Sequence, residues 1–270
     1  MTTPACNTAW RCLRPSNASP GFRLLCLHHA AGSARFFQPW GQALAADIEL
    51  WAASLPGRDE RLNEAPITGM AQAARHLATD FPPTDRPWIL FGHSMGAALG
   101  YELCLHLLQQ GRPLPDALIV SAQQAPHCHP RGFLHQKDDR ALLSELKRVG
   151  ATPAAFFAIP ELCQLILPML RADYHLIETW PADTPGGILP CPIELFLADN
   201  DEELTPEEAL PWAEYTSKTC RTHRFAGDHF YLIPHQVQVV KVLEKIGREC
   251  VKTRHAGEKS LPAPATPTAR

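Results

Sequence analysis

The chain has 270 residues, 45% of them hydrophobic, and a net charge of −3. That is apolar surface enough for one large core, and α/β sheets of this size often form a single domain. The charge lacks the basic excess of a nucleic-acid binder, and no apolar run approaches the roughly 20 residues needed to cross a bilayer, so neither nucleic acid nor membrane is expected as a partner.

Residues 1–20 carry Pro4, Asn7, Pro15, Ser16, Asn17, Ser19 and Pro20 and read as a loose leader. They show no charged-then-apolar signal pattern, so a cytoplasmic location is expected. Phe22–Leu27 reads as a buried strand, followed by a helical stretch at about Ala34–Ala45. Strands follow at Ile48–Ala53 and Trp88–Gly92, with a helix at Gly69–Asp80 between them. Met95–Gln110 reads as a helix and Ala117–Ala122 as the fourth strand. From about Pro126 to Pro190 no strand pattern appears. Helical patterns at Asp138–Val149, Thr152–Phe157 and Glu161–Thr179 fill that segment. A helical insertion of this kind is expected to form a lid rather than a mere cover for the sheet, because loops at strand ends usually carry the binding surface. Strands Ile193–Ala198 and Thr219–Phe225 and helices Pro206–Thr216 and Gln236–Cys250 complete the pattern. Continuous apolar strands separated by helices argue for a mostly parallel sheet covered on both faces. The domain is expected over residues 21–250, with the lid at about 126–190 and residues 251–270 as a disordered tail.

The nine cysteines are odd in number and include no Cys-x-x-Cys pair, so they read as free thiols in a reducing compartment. His127, Cys128, His129 and His135 cluster in the chain, but their spacing fits no common zinc pattern. No metal and no cofactor of the chain's own are expected.

Chemistry concentrates at Gly92-His93-Ser94-Met95-Gly96. A Gly-x-Ser-x-Gly run between an apolar strand and a helix is the context of a nucleophile elbow, a sharp turn that lifts the Ser94 hydroxyl above the sheet. The helix N-terminus then places free N–H groups beside the reacting centre. A serine hydroxyl needs a base. His229, in Gly227-Asp228-His229-Phe230, lies after the last strand, where this fold places its base. His93 is expected to point away, and His28 and His29 to line the site. The base needs a carboxylate to fix its tautomer. Asp201 is the choice and Asp199 the alternative, both just after Ile193–Ala198. Two backbone donors for an oxyanion are assigned to Met95 and to Ala30, with Ala31 as the fallback for the latter.

Four further runs accompany this pattern: His29-Ala30-Ala31-Gly32-Ser33-Ala34, Leu55-Pro56-Gly57-Arg58-Asp59-Glu60-Arg61, Leu167-Pro168-Met169-Leu170-Arg171-Ala172-Asp173 and Gly227-Asp228-His229-Phe230-Tyr231-Leu232. Together with the nucleophile motif they resemble, over residues 21–250, the type II thioesterases, the stand-alone editing enzymes of nonribosomal peptide and polyketide synthases. The resemblance implies an α/β-hydrolase fold and a serine thioesterase with Ser94, Asp201 and His229 as its triad and Ala30 and Met95 as oxyanion donors. It also implies a monomer whose partners are acyl or peptidyl carrier proteins, the acyl group riding on their phosphopantetheine arm. The expected role is removal of aberrant or stalled acyl units during antibiotic- or siderophore-type biosynthesis. Two positions depart from the family: Ala31 replaces a glycine in the oxyanion loop, and Asp228 replaces the glycine before the base. A carboxylate at 228 would favour the imidazolium if it points inward. Arg58 and Arg61 are read as tying their loop to the sheet. Arg131, Lys137, Arg140, Lys147 and Arg148 read either as a rim receiving an acidic carrier protein or as ordinary solvated charges. The rival functions are a small-molecule carboxylesterase and a non-catalytic synthase-docking protein.

Overall fold

The computed structural model describes residues 9–16, 21–82, 86–180 and 187–259. Its strands are β1 (Trp10–Arg14), β2 (Phe22–Leu27), β3 (Ile48–Ala53), β4 (Trp88–His93), β5 (Ala117–Ser121), β6 (Ile193–Ala198) and β7 (Cys220–Phe225). They form one sheet in the order β1-β3-β2-β4-β5-β6-β7. β1 pairs antiparallel with β3, and every other neighbouring pair is parallel.

Side chains that alternate along a strand enter different cores. In β2, Phe22, Leu24 and Cys26 join one apolar cluster while Leu25 and Leu27 join the other. In β4, Ile89 and Phe91 separate from Trp88 and Leu90 in the same way. Both faces are therefore buried, and this is why the central strands are almost entirely apolar. Helices α2 (Met70–Thr79) and α3 (Met95–Gln109) contribute to one cluster, and the 3-10 turn Ala34–Phe37, α1 (Trp40–Ala43) and α7 (Gln236–Lys259) to the other.

Several elements differ from the sequence reading, among them the helix expected at Pro206–Thr216, of which only Pro206–Ala209 is α-helix while Leu210–Tyr215 is a 3-10 turn. The leader expected over 1–20 contains β1. Trp10 is buried and its Nε1 donates to Leu77 O (2.9 Å), so this half-buried edge strand is fixed by one aromatic anchor and a ladder to β3. The rest of that leader, residues 1–8 and 17–20, lies outside the described residues. α7 runs nine residues beyond its expected end at Cys250, so 251–259 are helical where a tail was expected; residues 260–270 lie outside the description. The helix expected at Ala34–Ala45 is split, with Pro39 between its two short pieces; proline lacks the N–H that a continuous helix needs.

The insertion between β5 and β6 contains α4 (Asp139–Val149), α5 (Pro160–Glu178) and 3-10 turns at Pro126–Cys128, Leu134–Gln136 and Ala154–Ala158. Leu142, Leu146, Leu167 and Leu170 give it a small core of its own. Several of its side-chain contacts lie toward the C-terminal end of α5. Trp180 Nε1 donates to Glu102 (2.7 Å), and His175 Nδ1 to Thr68 O (2.9 Å). Glu178 accepts the N–H groups of Leu134 and His135. α6 (Pro206–Ala209) follows β6, with a capping box formed by Thr205 and Glu208. No helix among the described residues is long and apolar enough to cross a membrane.

Candidate active site

Ser94 sits at the junction of β4 and α3 with φ 52° and ψ −123°. A non-glycine residue rarely adopts such a backbone, and it persists only where its surroundings hold it. Ser94 N donates to Ser121 O (2.8 Å), and Ser94 O accepts from Ala97 N (2.8 Å). The flanking glycines permit the approach. A Cβ on Gly92 would lie 2.2 Å from Gly96 O, and one on Gly96 would lie 2.3 Å from Leu27 O. Both collisions are with backbone, so no side chain fits at either position. Met95 is the first residue of α3, where a helix leaves its N–H groups without intrahelical partners.

His229 follows β7 in a turn that begins at Gly227, whose φ is +108°. Its Nδ1 lies 3.0 Å from both carboxylate oxygens of Asp201. The Asp201 side chain is 1% exposed and also accepts from Glu203 N (2.9 Å). With Nδ1 committed to a carboxylate, the ring offers Nε2 to a second partner. Asp199, the alternative, is half-exposed and pairs instead with Arg224 (2.8 Å). Asp228 is also exposed, and its Oδ1 accepts from Phe230 N (2.9 Å). Its carboxylate caps the turn, so the inward-pointing charge considered from the sequence is not what the fold makes of this residue.

Ser94, Met95, His229, Ala30 and Ala31 all line one cavity of about 640 Å³, within the usual range for a small-molecule site. The insertion supplies a wall of it through Leu134, Leu146, Tyr174 and Ile177. Arg148, one of the five basic residues considered as a rim, donates to Glu145 and to Glu203, both at this cavity.

Three buried histidines surround the site. His29 lines the cavity; His28 lies behind it and donates through Nδ1 to His29 O (2.9 Å). His93 is fully buried, with Nδ1 2.8 Å from Ser121 Oγ, which is in turn 2.6 Å from the Tyr231 hydroxyl. Its ring centroid is 5.1 Å from that of His229. Burial pushes His28 and His29 down to about 3, helped by the Arg58 charge at His28 and by His28 and His229 at His29. Burial, with His229 and His29 nearby, also holds His93 well below the usual imidazole range. All three are therefore neutral at physiological pH.

The loop after β2 is held at several points. Ala31 has φ +63°, and Gly32 N donates back to His29 O (3.0 Å). Ala31 N donates to Asp173 Oδ2 (2.8 Å), which removes it as a free donor. Among the described residues, no acceptor takes the Ala30 N–H. The sequence reading of the two arginines splits here. Arg61 does tie its loop to the end of β3, donating to Ser54 O and pairing with Glu64. Arg58 reaches instead to Asp173 on α5 and to Gly32 O. Both Arg58 and Asp173 stand in the motifs singled out above, yet nothing local signals that they pair. The metal-like histidines are occupied elsewhere. His127 meets the Tyr215 hydroxyl (2.8 Å), His129 meets Ile177 O (3.0 Å), and His135 meets Glu178 (2.6 Å). The eight described cysteines are free thiols.

A family model described as a thioesterase domain matches residues 22–249. This chain belongs to the thioesterase family. The thioesterase is 32% identical over 250 residues to thioesterase PikA5 of Streptomyces venezuelae, covering 90% of this chain and 86% of that protein. Among solved structures it resembles the type II thioesterase BorB from the borrelidin biosynthetic cluster, with 34% identity, a TM-score of 0.80 and coverage of 92% of this chain and 100% of that one. It also resembles YbtT, a type II thioesterase from the yersiniabactin NRPS/PKS pathway, with 29% identity, a TM-score of 0.80 and coverage of 90% and 100%. The thioesterase thus has the α/β-hydrolase fold expected from its sequence, and it is a thioester hydrolase.

Proposed function

We propose that this thioesterase releases acyl groups from the phosphopantetheine arm of carrier proteins, clearing aberrant or stalled units from a polyketide or nonribosomal peptide synthase. The observation that carries the proposal is His229, held by the buried Asp201 and lining the same cavity as Ser94 in its positive-φ turn. The pathway is argued from relatives named for polyketide and nonribosomal peptide clusters.

Ser94 Oγ attacks the thioester carbon while His229 Nε2 takes its proton. Asp201 holds the ring in the tautomer with Nδ1–H and stabilises the imidazolium. The carbonyl oxygen becomes an oxyanion and is met by the N–H groups of Met95 and Ala30. Ala30 is favoured over Ala31 because Asp173 already takes the Ala31 N–H. When the tetrahedral centre collapses, the C–S bond breaks and the thiolate leaves with the proton from His229. Water then attacks the acyl-Ser94 ester, giving its proton to His229, and the acid is released with Ser94 reprotonated. The helical insertion acts as the lid over the acyl group.

The test compares kcat/KM for an acyl-loaded carrier protein with that for an aryl ester of the same acid. The carrier substrate is expected to be favoured by at least about tenfold, since remote contacts with arm and carrier contribute binding energy that an aryl ester lacks. A preference for the ester would overturn the proposal in favour of a small-molecule esterase.

A further inference from the structure

Arg58 and Asp173 form an ion pair in which the side chains are 4% and 1% exposed. Arg58 Nη2 donates to Asp173 Oδ1 (2.7 Å) and Nη1 to Oδ2 (2.9 Å), a two-pronged contact. Nη1 also donates to Gly32 O (2.9 Å), and Asp173 Oδ2 also accepts from Ala31 N (2.8 Å). Three distant segments meet here: the loop after β3, the loop after β2 and helix α5 of the insertion.

A buried pair of this kind is weak evidence for stability. Desolvation offsets much of its attraction, and hydrophobic replacements of similar volume are often neutral. Its placement is more informative. The pair grips the turn after β2 on both sides of the left-handed residue Ala31, taking the N–H of Ala31 and the carbonyl of Gly32. An alanine at φ +63° needs such support, because the conformation is unfavourable for any residue with a Cβ. The same grip occupies the Ala31 N–H and leaves the Ala30 N–H without an acceptor among the described residues, on the wall that also holds Ser94.

We propose that Arg58 and Asp173 are positioning residues for the reaction: their ion pair sets the Ala30–Gly32 turn so that the Ala30 N–H faces the developing oxyanion, and it makes that geometry depend on the seating of α5. The proposal rests on the reading of Ser94 and Ala30 given above. Misplacing one oxyanion donor forfeits part of the roughly 10²–10³-fold effect of removing it. The pair is therefore expected to act on kcat and not on substrate binding.

The decisive protein is the double variant Arg58→Met/Asp173→Leu, which removes both charges together. It is expected to unfold within a few degrees of the parent, with kcat lowered about 30- to 100-fold and KM within about threefold. An acyl trifluoromethyl ketone supplies the readout that a merely structural pair would leave alone. Ser94 Oγ adds to its carbonyl carbon, the proton passes to His229, and the oxygen becomes an alkoxide at the position of the oxyanion. Affinity for the ketone should fall by the same factor as kcat/KM. Arg58→Lys keeps the charge without the fork and should lie between the two. A folded double variant with kcat and ketone affinity near those of the parent overturns the proposal. If the double variant does not fold, Arg58→Lys decides alone: parallel losses at unchanged Tm support positioning, and unchanged values refute it. Ser94→Ala separates the two levels. Hydrolysis surviving in that variant refutes the underlying reading, whereas a Ser94-dependent parent with an indifferent ion pair refutes only the positioning role.

Discussion

Ser94→Ala is expected to lower kcat for thioester hydrolysis by roughly 10⁴- to 10⁶-fold, about 5–8 kcal/mol of transition-state stabilisation. With the hydroxyl gone, no acyl-enzyme forms. What remains is direct attack by water, aided by whatever the backbone donors and binding contribute. The fold should not change. The turn is held by the Ser94 N to Ser121 O bond and by the close approach of Gly92, Gly96 and Leu27, none of which involves the hydroxyl. Alanine carries the same positive-φ cost as serine. Thermal unfolding within a few degrees of the parent, with hydrolysis at background, is the expected pair of results. Hydrolysis within tenfold of the parent would remove Ser94 from the mechanism. The same variant disposes of the docking-protein alternative, since a chain that only docks has no turnover to lose.

The second large effect is on stability. His28, His29 and His93 are neutral in the folded chain because burial disfavours their charged forms, with folded values of about 3 for the first two and well below the ordinary one for the third. In the unfolded chain each titrates near its ordinary value of 6.5. Below that pH the unfolded state binds more protons than the folded one, so acid favours unfolding. The contribution is fully present above about pH 6.5. It is lost as pH falls from there toward the depressed folded values, at about 1.4 kcal/mol per pH unit for each histidine and up to about 4 for the three. Against a total stability of roughly 5–15 kcal/mol, two pH units remove up to about 8 kcal/mol, enough to unfold the chain at the lower end of that range. Urea midpoints measured from pH 8 to pH 4.5 should be nearly level above pH 7 and fall steeply below 6.5. His28→Asn should flatten that slope by about one third. Midpoints that stay level down to pH 5 would show that the three rings are not held neutral.

Strands β2, β4, β5 and β6 were legible because each is buried along its whole length, which writes a nearly unbroken apolar run into the sequence. β1 was not, since Trp10–Arg14 is a short edge strand lying among prolines and only half-buried. Its identity depends on Trp10 docking against Leu77, a contact that local pattern does not encode. The nucleophile turn was legible for a related reason: glycines at 92 and 96 are required by contacts within a few residues and with the neighbouring strand. Asp201 was chosen over Asp199 from chain position alone, and the contrast between them, one buried beside His229 and the other at the surface with Arg224, is a tertiary feature that the five adjacent polar residues do not encode. The reading of Ala30 with Ala31 as fallback likewise came from the loop's small residues, whereas the bond that occupies the Ala31 N–H comes from Asp173, 142 residues away. Arg58 and Asp173 stood in two recognised motifs, but their meeting is a product of the tertiary fold across 115 residues.

The central claim, an acyl group passing through Ser94 on its way from a carrier protein to water, is tested most directly by acid-quenching the enzyme during turnover of an acyl-carrier protein and mapping its peptides by mass. The peptide containing Ser94 should carry the added mass of the acyl group, placed on that serine by fragmentation, and the adduct should be absent from Ser94→Ala. An adduct on another residue in the quenched wild-type enzyme would contradict the account.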